Sequence, residues 1–156
     1  MAYIPIKGEM MEKMRLTVGF ADLTNYNLLL ETIGIEKTYE YLQDIFKIAG
    51  DKIIQYGGKI RKYIGDTILF TFENPTNAVE ASNEIAGYIK EVGEISLRFK
   101  IGIATGEVML VKLGHPSFVI EDILGNTVNR AARLVKTASE KESGVALDKE
   151  TQKYLL

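Results

Sequence analysis

The sequence contains no cysteine and a single histidine, His115, among its 156 residues. The absence of cysteine excludes disulfide scaffolds, thiolate catalysis and sulfur-ligated metals, and it agrees with a reducing cytoplasmic location. One histidine excludes a histidine-rich zinc site. We expect His115 to be a surface loop residue without a chemical role.

Runs of basic residues and long apolar runs are also missing. The formal net charge is −2, with lysine and arginine scattered along the chain, so we expect no nucleic-acid partner. No apolar run approaches the ~18 residues that span a bilayer, and the first residues lack the apolar core of a signal peptide. We therefore expect no membrane contact by this domain. A composition of 46% hydrophobic and 26% charged residues is typical of one globular domain.

The first structured segment predicted by the pattern is residues 16–22, LTVGFAD, an apolar run of strand length that ends in Asp22. Residues 1–15 show no clean period, so we interpret them as a leader or linker that precedes a single domain over residues 16–156. Functional sites in α/β proteins collect just beyond the carboxyl ends of strands. Thr24 and Asn25 are suited to capping the turn that follows.

A second carboxylate, Asp66, lies in the stretch KIRKYIGDTILFTF, residues 59–72. The runs on either side of Gly65-Asp66 are β-branched, aromatic or alternating, which predicts two strands joined by a tight turn. Most Gly-Asp pairs only turn the chain, and Asp22 alone is typical of a helix cap. In a split βαβ sheet, however, the first strand and this hairpin can be neighbours, which would bring both acids to one edge.

The remaining pattern predicts an α+β fold, an α/β sandwich with a ferredoxin-like βαββαβ core and a C-terminal helix-strand extension. The predicted elements after the first strand are a helix over 35–56, the hairpin, a helix from 75 to about 93, strands over 97–104 and 107–113 joined at Thr105-Gly106, a loop over 114–121, a helix over 125–139, a strand over 145–147 and a terminal helix over 149–155.

Two acids without histidine or cysteine indicate hard cations. Carboxylate oxygens suit Mg²⁺ or Mn²⁺, and two such ions about 3.5 to 4 Å apart would assist an in-line phosphoryl transfer. The turn after Asp22 can offer backbone N–H groups to a polyphosphate. No P-loop signature of glycines and lysine is present.

Four motifs, taken in order, resemble the class III nucleotidyl cyclase catalytic domain of adenylyl and guanylyl cyclases. They are FADL at 20–23, KYIGD at 62–66, KIGIATGEV at 100–108 and DILGNTVNRAARL at 122–134. The similarity spans residues 16 to about 155. A diguanylate cyclase relative is disfavoured because the sequence has no GGDEF-type signature.

The resemblance implies roles for the acidic pair and for the turn that follows Asp22. Asp22 and Asp66 match the aspartates that bind two Mg²⁺ or Mn²⁺ ions. Thr24, Asn25 and Tyr26 fall in the substrate-binding turn, where the family usually carries Gly-Phe-Thr in place of Asn25 to Asn27. Asparagine tolerates a left-handed backbone, so we expect the turn to be retained.

The resemblance also implies the groups that contact the nucleotide. Lys62 and Asp122 match the pair that recognises adenine, Asn129 the residue that orients the ribose, and Arg133 the residue that stabilises charge on the α-phosphate. Independently of the family, Asn129 and Arg133 share a helix face, whereas an isolated Arg133 is typical of a surface salt bridge. Lysine can donate to N1 of adenine and aspartate can accept from its amino group, which favours ATP over GTP.

The implied activity is adenylyl cyclase, which converts ATP to 3′,5′-cyclic AMP and pyrophosphate at sites shared across a head-to-tail homodimer. An upstream sensory or regulatory domain is a further expectation. A lysine that binds the β- and γ-phosphates in many members lies beyond the last residue of this chain. Either the chain is truncated, or it is a short variant, or it turns over inefficiently. The alternative function is a catalytically weak cyclase-homology module that dimerises and senses nucleotide.

Overall fold

A computed structural model describes residues 11–155, which form a curled sheet covered by helices on both faces. The last element is a 3₁₀ turn over Lys153–Leu155. In chain order the elements are β1 (Met11–Leu23), α1 (Tyr26–Ile33), α2 (Ile35–Gln55), β2 (Lys59–Ile64), β3 (Thr67–Phe72), α3 (Pro75–Gly87), β4 (Lys90–Val92), β5 (Ile95–Leu97), β6 (Phe99–His115), β7 (Phe118–Leu124), α4 (Asn126–Ser139), β8 (Val145–Leu147) and α5 (Lys149–Gln152).

The main sheet has the strand order β2-β3-β1-β6-β7, and β8 adds to β6. The β1–β3, β1–β6, β2–β3 and β6–β7 pairs are antiparallel, and the β6–β8 pair is parallel. Strand β1 therefore lies between β3, the second strand of the hairpin, and β6, the long strand that follows α3 and the short β4–β5 hairpin, which is the ferredoxin-like βαββαβ arrangement. The prediction of the fold class is confirmed, with α4 and β8 forming the C-terminal extension.

Successive side chains of each central strand enter two separate cores, as the period of two in a strand requires. Ile68 and Phe70 pack with α2 and α3 on one face, whereas Leu69 packs on the other face beneath Ala131 of α4. Phe70 is fully buried, and burial of a side chain of this size contributes about 1.5 to 3 kcal/mol. Because both faces of the sheet are covered, the polar residues of β1 and β3 that remain accessible lie toward the strand ends.

Helix α2 is amphipathic because Ile45, Ala49 and Ile53 recur at intervals of four and are all buried. It ends where Gly57 takes a φ of 88°, and the N–H of Gly58 donates to the carbonyl of Ile53 at 2.8 Å. This left-handed glycine is a common helix terminator. The predicted helix and its glycine stop are confirmed.

Two predicted boundaries are wrong. Strand β1 begins at Met11 and pairs with β6 through residues 11–15, so these residues belong to the sheet and not to a leader. Residues 1–10 lie outside the described range. Helix α3 ends at Gly87 instead of near residue 93, and the hairpin of β4 and β5 follows it. The helix α1 was not predicted.

The prediction of two strands with a turn at Thr105-Gly106 is also wrong, because β6 is one continuous strand of 17 residues. The predicted loop over 114–121 is mostly strand, since β7 pairs back onto β6 with Phe118 opposite His115. His115 is exposed at this strand end, and its Nδ1 lies 2.8 Å from the hydroxyl of Ser117. None of the helices within residues 11–155 is both long and apolar enough to cross a membrane.

Candidate active site

Asp22 and Asp66 lie at the same end of two paired strands. Asp22 is opposite Thr67 in the β1–β3 register, and Thr67 directly follows Asp66. The hydroxyl of Thr67 donates to Oδ1 of Asp22. Asp66 itself lies in the tight turn between β2 and β3, in which the preceding residue, Gly65, has a φ of 60°. The two acids that the sequence predicts to lie together are therefore at the same end of the sheet, which we call the aspartate edge.

The surroundings of Asp66, including the charge of Asp22, alter the pKa of its carboxyl group. Burial raises the pKa of Asp66, a backbone hydrogen bond lowers it, and the charge of Asp22 raises it again. Neither acid forms an ion pair with any residue of 11–155. Half-buried carboxylates without a positive partner are the donor set that Mg²⁺ or Mn²⁺ prefers, so these residues fit the predicted ions.

Among residues 11–155, no group of three or more His, Cys, Asp or Glu side chains is placed to hold a metal ion. This agrees with the usual binding of Mg²⁺, which takes one or two carboxylates from the protein and completes its shell with waters and substrate phosphates. A metal ion bound by Asp22 and Asp66 would therefore keep coordination positions for a phosphorylated substrate.

The turn after Asp22 has the backbone conformation that the sequence predicts. Asn25 has φ 60° and ψ 19°, and it is the one non-glycine residue within 11–155 with positive φ. Its side-chain amide donates to the carbonyl of Ser96 at 2.8 Å, and the N–H of Thr24 donates to the carbonyl of Arg98 at 2.9 Å. These bonds hold the turn against the β5–β6 connection.

Helix α1 starts directly after this turn, at Tyr26. Within the described chain no side chain caps its N-terminus. The first N–H groups of a helix have no partner inside the helix and carry a partial positive charge. The N–H of Thr24 is bonded to Arg98, so the backbone donors that this turn presents to an anion are those of Asn25 and Tyr26.

Lys62 and Asp122 form an ion pair. Nζ of Lys62 lies 3.0 Å from Oδ2 of Asp122, and the two side chains are 32% and 9% exposed. The other oxygen of Asp122 accepts from the backbone N–H of Ile123 at 2.8 Å. Beside this pair, residues of β1, β2, β6 and β7 line a cavity of about 350 Å³, with Asp122 in its wall. The structure thus joins two residues that are 60 positions apart.

Asn129 and Arg133 are both exposed on α4. Neither side chain has a hydrogen-bond or salt-bridge partner in the part of the chain that the structure describes. Asn129 lines a groove of about 580 Å³ that also contains Glu107 and Arg130. No hydrogen bond or ion pair of residues 11–155 links these two residues to the aspartate edge or to the Lys62–Asp122 pair, so the candidate residues form three separate groups.

Sequence reasoning did not identify Thr67 or the contact between Arg130 and Asp148. Thr67 could have been found from its position, because it follows Asp66 at the start of a strand that pairs with the end of β1. Arg130 and Asp148 lie 18 residues apart, on a helix and after a strand, and no local pattern indicates that they meet.

Comparison with known proteins gives the family. The profile of the adenylate and guanylate cyclase catalytic domain matches residues 9–156. An adenylate cyclase of Streptomyces coelicolor is 29% identical over 130 residues, which cover 83% of this chain and 32% of that protein. The chain spans about a third or less of the length of the first curated relatives that it matches.

Solved structures show the same fold. A bacterial light-regulated adenylyl cyclase superposes with a TM-score of 0.85 at 22% identity, covering 94% of this chain and 46% of that one. The guanylyl cyclase Cya2 superposes with a TM-score of 0.75 at 23% identity, covering 93% of this chain and 80% of that one. With a profile match over nearly its whole length, the chain belongs to the class III nucleotidyl cyclase catalytic domain family.

Proposed function

We propose that this domain is an adenylyl cyclase that converts ATP to 3′,5′-cyclic AMP and pyrophosphate. The observation that carries the proposal is the ion pair of Lys62 and Asp122, 3.0 Å apart. Together they offer one donor and one acceptor. Adenine presents an acceptor at N1 and a donor at its amino group, whereas guanine presents the opposite polarity at that edge. A lysine and an aspartate side by side therefore favour ATP.

Asp22 and Asp66 would hold the two Mg²⁺ or Mn²⁺ ions. When bound, such ions neutralise phosphate charge and favour the ionised form of the ribose 3′-hydroxyl. Asp22 is oriented for this role by the hydroxyl of Thr67. Because burial and Asp22 disfavour the ionised form of Asp66, a divalent cation and the aspartate edge stabilise each other. The N–H groups of Asn25 and Tyr26 would bind the phosphates, because the N–H of Thr24 already donates to the carbonyl of Arg98.

The reaction needs no protein nucleophile. The ribose 3′-oxygen forms a bond to the α-phosphorus, the bond from that phosphorus to the bridging oxygen breaks, and pyrophosphate leaves while the hydroxyl proton passes to solvent. Asn129 would orient the ribose, and the guanidinium of Arg133 would stabilise the charge that grows on the α-phosphate. Positioning and electrostatic stabilisation of this kind supply most of the rate enhancement in phosphoryl transfer.

We further propose that the active site is completed by a second copy of this chain in a head-to-tail homodimer. Asn129 and Arg133 are exposed and lack side-chain partners among residues 11–155, and no hydrogen bond or ion pair there links them to Asp22 or Asp66. A second copy would bring the α4 residues of one subunit to the aspartate edge of the other. Two equivalent sites follow from the symmetry of such a dimer.

The test is formation of cyclic AMP from ATP, and of cyclic GMP from GTP, with Mg²⁺ or Mn²⁺ at protein concentrations high enough to favour a dimer. The intact chain should produce cyclic AMP, and Asp66→Ala should produce none. Asp51→Ala is a matched control, because Asp51 is an exposed acid of α2 whose ion-pair partner within residues 11–155 is Lys47. If the intact chain dimerises and binds nucleotide without turnover, it is a nucleotide-sensing module and the enzymatic proposal fails. Faster turnover of GTP than ATP contradicts the role given to Lys62 and Asp122.

A further inference from the structure

Arg130 lies on α4 between Asn129 and Arg133. Its side chain is partly exposed to solvent and also contacts the sheet. Nε of Arg130 lies 3.4 Å from Oδ2 of Asp148, whose side chain is 11% exposed. Nη2 of the same guanidinium donates to the backbone carbonyl of Thr105 at 3.3 Å. One side chain of α4 therefore contacts both β6 and the segment that follows β8.

Asp148 is itself fixed by several bonds. Its Oδ1 accepts from the N–H of Thr151 at 2.9 Å and from the hydroxyl of Thr151 at 2.6 Å. The N–H of Thr105 points at the same carboxylate at 3.3 Å, and the N–H of Asp148 donates to the carbonyl of Ile103 at 2.9 Å. Parallel pairing of β8 with β6 stops at Leu147 opposite Ile103, and the carboxylate of Asp148 continues the bonding to β6 by one more residue.

Behind this carboxylate is a buried chain of hydroxyl groups. The hydroxyl oxygen of Thr105 lies 2.9 Å from that of Thr17 and 2.8 Å from that of Thr151, and all three side chains are almost completely buried. The chain links β1, β6 and α5. Asp148 is thus an anchor with little freedom to move, and Arg130 is tied to it.

Helix α4 also lies very close to the backbone of β6. A Cβ atom on Gly102 would be 2.2 Å from the carbonyl oxygen of Ala131, and one on Gly106 would be 2.6 Å from the hydroxyl of Thr127. That hydroxyl donates to the carbonyl of Glu107 at 2.8 Å. The two glycines allow α4 to approach the backbone of β6 closely. Thr127 and Arg130 then bond the first half of the helix to Glu107 and Thr105 of β6.

We propose that Arg130 and Asp148 are positioning residues, which fix the rotation of α4 on the sheet and thereby the direction in which Asn129 and Arg133 point. This inference rests on the proposed function, because it assumes that Asn129 and Arg133 act on the nucleotide. Asn129 directly precedes Arg130 in the chain and lines the same groove, so a turn of the helix about its axis moves both together.

The side chain of Arg130 is 39% exposed and its contact with Asp148 is long, at 3.4 Å, so loss of the charge pair alone should cost little stability. Asp148→Asn keeps an oxygen that can accept from Thr151, so we expect only a modest change in the melting temperature of an Arg130 or Asp148 variant. Misplacement of a catalytic group by about 1 Å can nevertheless lower a rate by up to about a hundredfold. We therefore expect a kinetic effect that is large compared with the effect on stability. The experiment compares Arg130→Gln, Asp148→Asn, the double variant and Arg130→Lys, with Glu150→Gln as the control. Glu150 forms exposed ion pairs with Arg15 and Lys153 in the same region.

Each single variant should lower kcat for ATP about tenfold, with less than about a twofold change in KM. The double variant should be no slower than the slower single variant, because both remove the same contact. Arg130→Lys should recover part of the rate, and Glu150→Gln should match the intact chain. The proposal is overturned by an unchanged kcat, by effects of the two single variants that multiply in the double variant, or by a rise in KM alone, which would indicate direct substrate binding by Arg130.

A second readout does not depend on turnover. Hydrogen exchange of the amides of residues 126–133 should be faster in Arg130→Gln and Asp148→Asn than in the intact chain, with exchange in α2 unchanged. If the intact chain makes no cyclic nucleotide but α4 responds in this way, the proposed function fails while the anchoring of α4 stands. Equal exchange rates in α4 overturn the positioning role whatever the activity.

Discussion

Lys62 and Asp122 lie on strands at opposite ends of the order β2-β3-β1-β6-β7, yet their side chains are 3.0 Å apart. The contact is possible because the sheet curls, because β2 changes register between Ile60 and Lys62, and because β6 and β7 continue beyond the end of β3. Two residues from distant parts of the sequence thus form one ion pair, with Asp122 in the wall of the neighbouring cavity. Loss of either would leave the other without its charged partner.

Replacement of Lys62 by methionine should lower kcat/KM for ATP by about ten- to a hundredfold, the effect of losing a charged hydrogen bond worth about 1.5 to 3 kcal/mol. Turnover of GTP should fall less, because lysine does not match the N1 donor of guanine. The ratio of ATP to GTP turnover is therefore the quantity to measure. Lys112→Met is the control, since Lys112 lines the cavity beside Asp122 without an ion pair among residues 11–155. An equal loss with both nucleotides would contradict base recognition by Lys62.

Asp66→Asn should abolish turnover and yet stabilise the metal-free protein at pH 7. The folded protein raises the pKa of this carboxyl above its ordinary value of 3.8, through burial and through Asp22. The carboxyl group of Asp66 therefore stabilises the folded protein while it is protonated, below the ordinary pKa of 3.8. This stabilisation is lost as the pH rises through the higher pKa of the folded protein. The melting temperature of Asp66→Asn in a chelating buffer should exceed that of the intact chain at pH 7, and the difference should shrink toward pH 4.

The control for this comparison is Asp51→Asn, which removes an exposed acid paired with Lys47 and should not raise the melting temperature. Addition of Mn²⁺ should stabilise the intact chain more than Asp66→Asn, because the ion offsets the repulsion between Asp22 and Asp66. A lower melting temperature of Asp66→Asn at pH 7 without metal would show that the carboxylate contributes favourable contacts instead.

The hydrophobic pattern of the sequence was sufficient for elements whose buried faces repeat regularly, such as α2 and β3. It failed where tertiary contacts override local preference. Thr105-Gly106 has the composition of a turn, but both residues lie inside β6. Gly106 lacks a side chain where Thr127 of α4 approaches it, and Thr105 bonds to two buried threonines. Neither reason can be found within a short window of sequence.

The candidate site shows the same division. Asp22 and Asp66 could be predicted to meet because each lies at a strand end whose partner follows from the split βαβ pattern. Lys62 and Asp122 could be paired only through the family resemblance, since their contact depends on the curl of the sheet. The Arg130–Asp148 contact joins a helix to the end of a parallel strand, and the sequence has no periodic signal for it.

Asn25→Ala should destabilise the protein by about 2 kcal/mol. The left-handed backbone at φ 60° costs a residue with a Cβ about 1 to 2 kcal/mol, and the bond from Nδ2 to the carbonyl of Ser96 is lost as well. Asn25→Gly should cost about 1 kcal/mol or less, because glycine adopts this conformation freely and only the side-chain bond is lost. Urea denaturation of the two variants measures the difference. Equal destabilisation would mean that the backbone conformation of the turn contributes little.

Mixing two inactive variants tests whether the site is shared between subunits. Asp66→Asn and Arg133→Ala should each be inactive alone, but a mixed head-to-tail dimer keeps one site with both residues intact. About half of the dimers in an equal mixture are mixed and each holds one working site, so about a quarter of the intact activity should return. Asp66→Asn mixed with Asp22→Asn is the matched control and should stay inactive, because these two acids lie on the same edge of one subunit. Without recovery in the first mixture, Arg133 and Asp66 do not act across a dimer.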